Sequence, residues 1–499
     1  MTTATPGARP ARFNFREPIP PATQWKHVHF IAIGGSGMSG VALLFLHAGI
    51  AVSGSDAKPS AALAYLATCG AEVSVGHDAN HLGDADAIVI SGAVTEANPE
   101  LMASRGRGLP VLHRAQGIAA LIHGRDAAAV AGANGKTTTS AMLVAALARG
   151  GTDPGFVIGS PLLDYGTSAH PGSGPMVIEA DESDGSFLAY RPRVAIVTNV
   201  TPDHLDFYGD FAAVQVAFDE FASTLGPNGL LVSNADDHGS IVLADRARRR
   251  GQHVVTWGES EVADLRILDI DATGGTTIST LRWNRDIGDR QTGEIGNLVM
   301  PLPGRHNVYN GCAALLAATV GFEVSTADAL HGLSAFAGTR RRFEFVATTG
   351  GIHIIDDYAH NAPKVAAVVA AGRSVVTGDG RLVVAFQPHL YSRTLAFAQE
   401  FAAGLVAADV VVLLDVFGAR EAPIAGVSGQ TIVDALSRVS DQLPAGAKQP
   451  AVAYADDRAQ AAGVVVDLVR PGDVVLTVGA GDVTTLGPEM VALLESRDG

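Results

Sequence analysis

The stretch GANGKT, residues 132–137, lies between an apolar strand-like run and a helix-like run, as a phosphate-binding loop does. Glycines let the backbone approach a phosphate, Lys136 can reach the β- and γ-phosphates of a nucleotide, and the Thr137 hydroxyl is placed to ligate Mg²⁺. Only two residues separate the glycines, whereas the common phosphate-binding loop has about four. The stretch therefore predicts a nucleotide site of unusual spacing, formed by Gly132, Ala133, Asn134, Gly135, Lys136, Thr137 and Thr138.

Acidic and imidazole side chains follow at the ends of later strand-like runs. Glu179 ends the run MVIE, and His204 follows the run VAIVTNV. Since the carboxyl ends of parallel strands converge at one edge of a sheet, Glu179 and His204 can meet Thr137 around a metal ion. Each of them alone is more often a solvated loop residue, but together they favour a phosphoryl-transfer site.

A second glycine-rich loop, residues 34–37, follows the first strand-like run. Glycines there let backbone amides approach an anion at a helix N-terminus. Asp56 ends the next strand-like run, roughly 20 residues on, where a dinucleotide-binding fold has the acid that meets a ribose. Dinucleotide binding and a tight turn without ligand both stay open, and the candidate residues are Gly34, Gly35, Ser36, Gly37, Met38 and Asp56.

Further polar groups occur in the second half of the chain. The stretch PGRHNVYN, residues 303–310, places His306, Asn307 and Asn310 before an apolar run, where they can also simply cap a helix. The stretch GTRRRFE carries three arginines, which form either a charged surface or a fork for phosphate or carboxylate. The candidates from this arginine triplet onward are Arg341, Arg342, Asp357, Tyr358, His360, His389 and Arg393.

Composition narrows the class of protein. The 499-residue chain has a formal net charge of −16, which argues against a nucleic-acid partner because nothing offsets phosphate repulsion. Its two cysteines lie outside any metal-type spacing, which favours a reducing, cytoplasmic compartment. There is no run of about 18 apolar residues and no signal-peptide core, so we expect no membrane partner. Residues 1–22 are rich in Pro and Arg without periodicity, and we predict a disordered tail.

Strand-like and helix-like runs alternate along most of the chain, which predicts parallel sheets flanked by helices. A chain of this length exceeds what one core can organise. The alternation starts again before the phosphate-binding stretch and after the arginine triplet. We therefore predict three α/β domains in tandem, over residues 23–124, 125–336 and 337–499.

Taken in order, the motifs resemble those of the Mur ligase superfamily across nearly the whole chain after the tail. The stretches that carry the resemblance are IGGSGMSG, SGSD, GKTTT, EADESDGSF, TNVTPDHLDFYGD, PGRHNVYN, RRRFE, DDYAH, FQPHLYSRT, DVFGAREAPIAGVSG and GAGDVTTLGPE. The two-residue gap between the glycines is typical of this superfamily. The resemblance implies a Rossmann-like N-terminal domain for a UDP-sugar, a central P-loop-type ATPase with a mostly parallel sheet, and a Rossmann-like C-terminal ligase domain.

The resemblance also implies an activity. It is that of an ATP-dependent ligase that joins an amine to a carboxylate through an acyl phosphate, with Mg²⁺ as the metal. The branch that the chain most resembles adds L-alanine to UDP-N-acetylmuramate in peptidoglycan precursor synthesis. The loop at 34–37 would then bind a UDP diphosphate rather than NAD. We expect a monomer or homodimer.

The family motifs also imply a role for each candidate. The implied metal ligands are Thr137, Glu179 and His204. The implied nucleotide-binding residues are those of 132–138 with His306, Asn307, Asn310, Arg342 and Asp357. The implied substrate-binding residues are those of 34–38 with Asp56, Tyr358, His360, His389 and Arg393. The implied catalytic residues are Lys136, Glu179, His204, Arg341, Arg342, His360 and Arg393.

The chain departs from the branch pattern in three places. Ala32 stands where the branch has a glycine, Ala133 and Asn134 replace Thr-His, and residues 361–364 replace His-Pro-Thr-Glu. Several members of the superfamily carry a carbamylated lysine, and the corresponding residue of this chain is Phe218. The alanine-adding branch also generally lacks that lysine, so this difference agrees with the resemblance. Two alternatives stay open: a paralogous ligase of specialised metabolism that uses another acid or amino acid, and a non-catalytic or NAD-binding protein.

Overall fold

The structure is a computed structural model that describes residues 12–419, 421–444 and 446–498. Its described residues form three mainly parallel sheets flanked by helices, one in each domain. The predicted α/β class with three domains is thereby confirmed. Within the described ranges, no helix is both long and apolar enough to cross a membrane.

The chain also divides by its internal packing into two compact units. The N-terminal and central sheets lie mainly in the first unit, and the C-terminal sheet lies in the second. The domain boundaries near residues 125 and 337 stay a prediction. The first unit runs up to Leu268 and includes Thr280–Leu298 and Tyr309–Ala335, while the second comprises Asp269–Ser279, Val299–Val308 and the chain from Phe336 onward.

The N-terminal sheet has the strand order β3-β2-β1-β4-β5, and its four pairings are parallel. This is the order of a doubly wound, Rossmann-like sheet, in which ligands bind beyond the carboxyl ends of the strands. Phe45 of the first helix packs edge-on against Phe30 of β1, with ring centroids 5.5 Å apart. The elements are β1 (His27–Ile31), α1 (Ser36–His47), β2 (Ala51–Asp56), α2 (Ala61–Thr68), β3 (Glu72–Val75), β4 (Ala87–Ile90), α3 (Pro99–Gly106), β5 (Val111–His113) and α4 (Arg114–Leu121).

The central sheet has ten strands in the order β15-β14-β13-β12-β11-β10-β6-β9-β7-β8. Strand β6, which leads into the phosphate-binding stretch, pairs in parallel with β10 on one side and β9 on the other. The carboxyl ends of these three strands therefore lie side by side. The elements are β6 (Ala127–Ala131), α5 (Lys136–Arg149), β7 (Gly155–Leu162), β8 (Thr167–His170), β9 (Met176–Glu179), β10 (Val194–Val197), α6 (Leu205–Tyr208), α7 (Phe211–Ser223), β11 (Leu230–Asn234), α8 (His238–Arg249), β12 (His253–Gly258), β13 (Leu265–Asp271), β14 (Thr277–Trp283), β15 (Gly293–Met300), α9 (Arg305–Leu316) and α10 (Thr326–Ser334).

The C-terminal sheet has the order β16-β17-β21-β18-β19-β20. Its edge strand β16 is antiparallel to β17, and the other pairings are parallel. The interior strands β18 and β19 are continuous apolar runs because both faces are covered by helices. The elements are β16 (Glu344–Thr349), β17 (Ile352–Asp357), α11 (Ala362–Val375), β18 (Leu382–Phe386), α12 (Tyr391–Leu405), β19 (Val410–Leu414), α13 (Gln430–Ser440), β20 (Ala451–Ala455), α14 (Ala461–Leu468), β21 (Val474–Val478) and α15 (Leu486–Asp498).

The disorder predicted for residues 1–22 is not found in the part of this segment that the structure describes. Residues 1–11 lie outside the described residues. Phe13 and Phe15 pack on the ring of His113 at centroid distances of 5.1 and 5.3 Å, and Arg16 pairs with Glu220 at 2.7 Å. The prediction of disorder is therefore wrong from residue 12 onward, because two aromatic side chains anchor a segment that has no periodicity of its own.

Candidate active site

The phosphate-binding stretch turns sharply between β6 and α5. Gly132 has φ 131° and Gly135 has φ 87°, a region that side chains other than glycine rarely adopt. A Cβ on Gly132 would lie 2.1 Å from Thr198 Oγ1, and one on Gly135 would lie 2.5 Å from Asn310 Oδ1. Both glycines are therefore required by backbone conformation and by close packing.

Lys136 opens α5, and its ammonium group is already engaged within the loop. Its Nζ donates to Gly132 O at 2.8 Å and to Glu182 Oε1 at 2.9 Å. Burial by itself lowers the pKa of Lys136, but the carboxylates of Glu182, Asp181 and Glu179 outweigh it, so that the pKa is raised. Lys136 is thus a largely buried cation, charged at neutral pH, at the N-terminus of a helix.

Thr137 and Glu179 lie against each other as the sequence predicts. Thr137 Oγ1 donates to Glu179 Oε1 at 2.9 Å, and Gly159 N donates to the other carboxylate oxygen at 2.6 Å. The contact follows from the sheet, because Glu179 at the end of β9 is in register with Val130 of β6. A hydroxyl and a carboxylate therefore face the space next to the phosphate-binding loop.

His204 lies at the same edge of the sheet, nearer to a carboxylate that was not among the predicted site residues. Its Nε2 is 4.0 Å from Glu182 Oε1 and 3.8 Å from Asp203 Oδ2. His204 has φ 52°, a strained left-handed backbone, immediately before the short helix α6. Glu182, which lies between Lys136 and His204, was missed because one acid of the motif EADESD gives no local signal of its partner.

The donor set permits a Mg²⁺ ion that is bound together with a phosphate. Within the described part of the chain, no group of three or more His, Cys, Asp or Glu side chains is arranged to hold a metal by itself. Mg²⁺, however, is commonly bound by one or two carboxylates together with substrate phosphates. Thr137 and Glu179 supply oxygen donors of this kind.

Ala133 and Asn134, which differ from the branch pattern, lie against the residues that follow strand β10. Asn134 N donates to Asn199 Oδ1 at 3.0 Å, and Asn134 O accepts from Asn199 Nδ2 at 3.0 Å and from Thr198 Oγ1 at 2.6 Å. Ala133 and Thr138 are buried. The loop shape therefore depends on Asn199 and Thr198, which sequence reasoning missed although both lie in the quoted stretch TNVTPDHLDFYGD.

The N-terminal glycine-rich loop connects β1 to α1. Asp56 Oδ2 accepts from Gly34 N at 3.0 Å, so this carboxylate stabilises the loop itself. Ala32, which replaces the usual glycine, has φ 64°. Gly35 is the N-cap residue of α1 and supplies no capping side chain. The first turn of the helix consists of Ser36, Gly37 and Met38.

Helix α9 carries three predicted nucleotide-binding residues. Burial lowers the pKa of His306, which keeps its imidazole neutral. Asn307 Nδ2 donates to Pro303 O at 2.8 Å and thereby closes the turn that precedes the helix. Asn310 Oδ1 accepts from Thr139 Oγ1 at 3.2 Å, which places Asn310 beside the first turn of α5.

Two predicted arginines of the C-terminal domain stack on one tyrosine. The guanidinium carbons of Arg341 and Arg342 lie 4.8 and 5.1 Å from the ring centroid of Tyr358. Arg341 also donates to Gly479 O at 2.6 Å and lies 3.4 Å from Asp356 Oδ2. Arg341, Arg342 and Tyr358, which the sequence analysis names only as separate candidates, therefore lie together within this domain.

His360, His389 and Arg393 form a second group in the same domain. The two imidazole rings are 6.0 Å apart, and Arg393 Nη1 lies 3.5 Å from both His360 O and His389 Nδ1. Burial lowers the pKa of His360 to about 4 and also lowers that of His389. Both rings are therefore neutral at pH 7 and can exchange hydrogen bonds with a polar ligand.

Asp357 and Asn361 hold the backbone around this group. Asp357 accepts from Phe343 N at 2.8 Å and from Ala359 N at 2.7 Å, and its burial raises its pKa. Both carboxylate oxygens are thus engaged within the domain, and the predicted nucleotide contact of Asp357 stays a prediction. Asn361, which replaces a histidine, accepts from Lys364 N at 3.0 Å and is the N-cap of α11.

The chain matches three family models in the order of its domains. The Mur ligase family catalytic domain matches residues 27–126, the Mur ligase middle domain matches residues 130–318, and the Mur ligase glutamate ligase domain matches residues 341–481. Together the three models span most of the chain.

Known proteins are similar over nearly the full length. The UDP-N-acetylmuramate–L-alanine ligase of Kineococcus radiotolerans is 49% identical over 475 residues, covering 94% of this chain and 96% of the relative. The ligase of the same name from Thermobifida fusca is 45% identical, with 94% and 96% covered. The crystal structure of the UDP-N-acetylmuramate–alanine ligase of Thermotoga maritima superposes with a TM-score of 0.77 at 28% identity, covering 95% of this chain and all of that one.

Proposed function

The chain belongs to the Mur ligase family, and from this membership we propose that it joins L-alanine to UDP-N-acetylmuramate, with conversion of ATP to ADP and phosphate. The observation that carries the proposal is the full-length identity of 49% and 45% with relatives of that name. The arrangement of Lys136, Thr137 and Glu179 supports it, because this arrangement suits phosphoryl transfer.

In the proposed reaction the carboxylate of the acid attacks the γ-phosphorus of ATP, which gives an acyl phosphate and ADP. The amine of the amino acid then attacks the acyl carbon, and the tetrahedral intermediate collapses with release of phosphate and formation of the amide. Two anions must approach each other in the first step, so the site must offset negative charge.

The central domain supplies that charge. Lys136 stays protonated because its pKa is raised, and its Nζ can exchange Glu182 for a phosphate oxygen. Thr137 and Glu179 would hold Mg²⁺, which offsets charge on the phosphates when bound. His204 is placed beside Glu182, where it orients that carboxylate or adds a further ligand.

The C-terminal domain supplies cationic and neutral polar groups. Arg341 and Arg342 are held on Tyr358, which limits their rotamers and prepares them to bind a phosphate or carboxylate. His360, whose pKa is about 4, binds a ligand as a neutral hydrogen-bonding group and adds no positive charge. With Arg393 and His389 it suits a carboxylate or an amine of an amino acid.

The N-terminal loop is assigned to the diphosphate of the UDP-sugar. The free amides at the start of α1 suit a diphosphate, and the Mur ligase models that match residues 27–126 and 130–318 favour a UDP compound over NAD. We further propose that the enzyme is cytoplasmic, because its proposed substrates are soluble intermediates of peptidoglycan synthesis. The oligomeric state that we propose is a monomer or homodimer.

An ADP-release assay with UDP-N-acetylmuramate and a panel of amino acids tests the proposal. We expect turnover that requires ATP, Mg²⁺ and the UDP-sugar, with L-alanine preferred. Calorimetry with UDP-N-acetylmuramate, NAD and NADP tests the N-terminal loop separately. Tight NAD binding without a response to the UDP-sugar would overturn the assignment.

A paralogous ligase is the second candidate, because Ala32, Asn134 and residues 361–364 depart from the branch pattern. Asn134 and Asn361 are both used within their own loops, by Asn199 and by the N-terminus of α11 respectively. ADP release with another acid or amino acid, and none with the pair proposed above, would favour this candidate.

A further inference from the structure

Asp356 is a buried carboxylate of the C-terminal domain that has no role in the reaction proposed above. It lies near the end of β17. Its Oδ1 accepts from Thr477 Oγ1 of β21 at 2.6 Å, and its Oδ2 accepts from Thr484 Oγ1 at 2.7 Å. Arg341 Nε lies 3.4 Å from the same Oδ2. One carboxylate therefore joins β17, β21, the segment that follows β21 and the guanidinium of Arg341.

Arg341 in turn holds the glycine-rich loop 479–482, which follows β21. Its Nη2 donates to Gly479 O at 2.6 Å and to Gly481 O at 3.3 Å. Its guanidinium carbon lies 4.8 Å from the ring centroid of Tyr358. The group is thus held by a carboxylate, by two carbonyls and by an aromatic ring. Nη1 makes no hydrogen bond with any residue that the structure describes, and it is the donor that remains for a ligand.

The loop 479–482 lies between two groups of candidate ligand residues. Val478, the last residue of β21, is in register with the last residues of both β17 and β18. The loop therefore leaves the sheet between the end of β17, which leads to Tyr358, and the end of β18, which leads to His389. A change in the shape of the loop would alter the spacing between these two side chains.

A second side chain also holds this loop. Gln387 Nε2 donates to Asp482 Oδ1 at 2.7 Å. A Cβ on Gly481 would lie 2.3 Å from Gln387 Oε1, so the loop is closely packed at this point. Gln387 and Arg341 therefore fix the loop through separate contacts, and the contact of Arg341 depends on the charge of Asp356.

We propose that Asp356 is a positioning residue of the ligase reaction, which acts through Arg341 to fix the loop 479–482 and to direct Arg341 Nη1 towards the ligand. The proposal rests on the proposed function and deepens it. A guanidinium has a fixed planar set of donors, and a carboxylate beside it sets the orientation of that plane. Because two anions must meet in this reaction, a cation displaced by about 1 Å should slow turnover about 100-fold.

Steady-state kinetics of the full-length enzyme with ATP, UDP-N-acetylmuramate and L-alanine test the role of the Asp356 charge. Asp356→Asn keeps the size of the side chain and should lower kcat about 10- to 100-fold. The KM values for ATP and UDP-N-acetylmuramate should stay unchanged, because the carboxylate contacts neither compound.

Asp473→Asn is the matched control for a merely structural effect. Asp473 is also a buried carboxylate and pairs with Arg381 at 2.7 Å, but it directly precedes β21, at the opposite end of that strand from the loop. Asp473→Asn should lower the free energy of unfolding in urea and leave kcat unchanged. Loss of stability alone would therefore not reproduce the effect of Asp356→Asn.

A double-mutant cycle shows whether Asp356 acts through Arg341. Arg341→Gln should lower kcat at least as much as Asp356→Asn does. The double variant should be no slower than Arg341→Gln alone, because the carboxylate then has no guanidinium to hold. Thr484→Ser keeps the hydroxyl that bonds to Asp356 and should behave as wild type, whereas Thr484→Val removes it and should repeat part of the loss in kcat.

Hydrogen exchange of the free enzyme measures the loop without any substrate. The amides of residues 479–485 should exchange faster in Asp356→Asn than in wild type. Asp473→Asn should leave their exchange unchanged, because Asp473 does not contact the loop.

Three outcomes would overturn the inference: wild-type kcat in Asp356→Asn, additive losses of kcat in the double variant, or unchanged exchange of the loop in Asp356→Asn. Absence of turnover in the wild-type enzyme, with faster exchange of the loop in Asp356→Asn, would instead contradict the proposed substrates and support the role of Asp356 in holding the loop.

Discussion

Lys136 Nζ lies 2.9 Å from Glu182 Oε1; the Glu182 side chain is buried, and that of Lys136 is 15% exposed. Two consequences follow from this pair. Lys136 is kept protonated before any phosphate arrives, because the carboxylate stabilises the ammonium in a site of low dielectric. Glu182 in turn depends on Lys136, since its other oxygen has no hydrogen-bond partner among the described residues.

We therefore expect Lys136→Ala to affect both activity and stability. ADP release should fall at least 100-fold, because the lost charge acts on the phosphoryl group as it moves. Removal of one partner also leaves a buried carboxylate unpaired, which costs about 3–5 kcal/mol. Urea unfolding and an ADP-release assay measure the two effects separately.

The double variant Lys136→Ala/Glu182→Gln is the matched control for this prediction. It should recover most of the lost stability, because the uncompensated charge is gone, and none of the lost activity. A single variant that keeps more than about a tenth of wild-type turnover would contradict the role assigned to Lys136.

The contact between Thr137 and Glu179 leads to a prediction about metal dependence. Glu179→Gln should raise the Mg²⁺ concentration needed for half-maximal activity about tenfold or more, because a carboxylate ligand is lost. His204→Ala should raise it less, because its imidazole lies next to Glu182 and Mg²⁺ prefers oxygen ligands.

Titration of activity with Mg²⁺ measures both shifts. His238→Ala, an exposed residue at the start of α8, serves as the control and should behave as wild type. A His204→Ala enzyme with the metal dependence of wild type would show that His204 is structural only.

The contact between Thr137 and Glu179, which the sequence analysis predicts, is set by sheet geometry. Thr137 and Glu179 meet because β6 and β9 are adjacent parallel strands, and the order of apolar runs already indicates such a sheet. The bond from Lys136 to Glu182 and the loop contacts of Asn199 depend instead on how connections fold back after their strands. The sequence gives no periodic signal for such connections.

The anchored segment near the N-terminus shows the same limit. Phe13 and Phe15 have no neighbours in sequence that predict a core, and they are ordered by the ring of His113 on a distant strand.

A buried carboxylate of the N-terminal domain predicts how stability depends on pH. Glu100 accepts from Ser55 Oγ at 2.6 Å and lies 3.0 and 3.2 Å from Nδ1 of His81 and His77. Burial alone raises the pKa of Glu100, but the hydrogen bonds from His29, Ser55 and His81 lower it by more than burial raises it. The resulting pKa is about 2. The carboxylate therefore stabilises the folded state above the pKa of an unfolded glutamate, and this stabilisation is lost as the pH falls from about 4.5 towards 2.

The shift corresponds to about 3 kcal/mol. Urea unfolding should show that the free energy of unfolding of wild type exceeds that of Glu100→Gln by more at pH 7 than at low pH. This difference between the two proteins should shrink by up to about 3 kcal/mol as the pH falls to about 2. Glu72→Gln, at an exposed position of β3, is the control and should follow wild type throughout. A difference independent of pH would show that the Glu100 charge does not stabilise the fold.

The backbone of Ala32 leads to a prediction about the departure at this position. Ala32 has φ 64°, a left-handed conformation that costs a residue with a Cβ about 1–2 kcal/mol. Glycine adopts it without that strain but loses about 0.5–1 kcal/mol through greater freedom of the unfolded chain. Ala32→Gly should therefore leave the free energy of unfolding unchanged or raise it by up to about 1.5 kcal/mol. Ala64→Gly, at an exposed position inside α2, should lower it by about 1 kcal/mol. If both substitutions destabilise the protein equally in urea unfolding, Ala32 is not strained, and its methyl group has been retained because the surrounding loop packs against it.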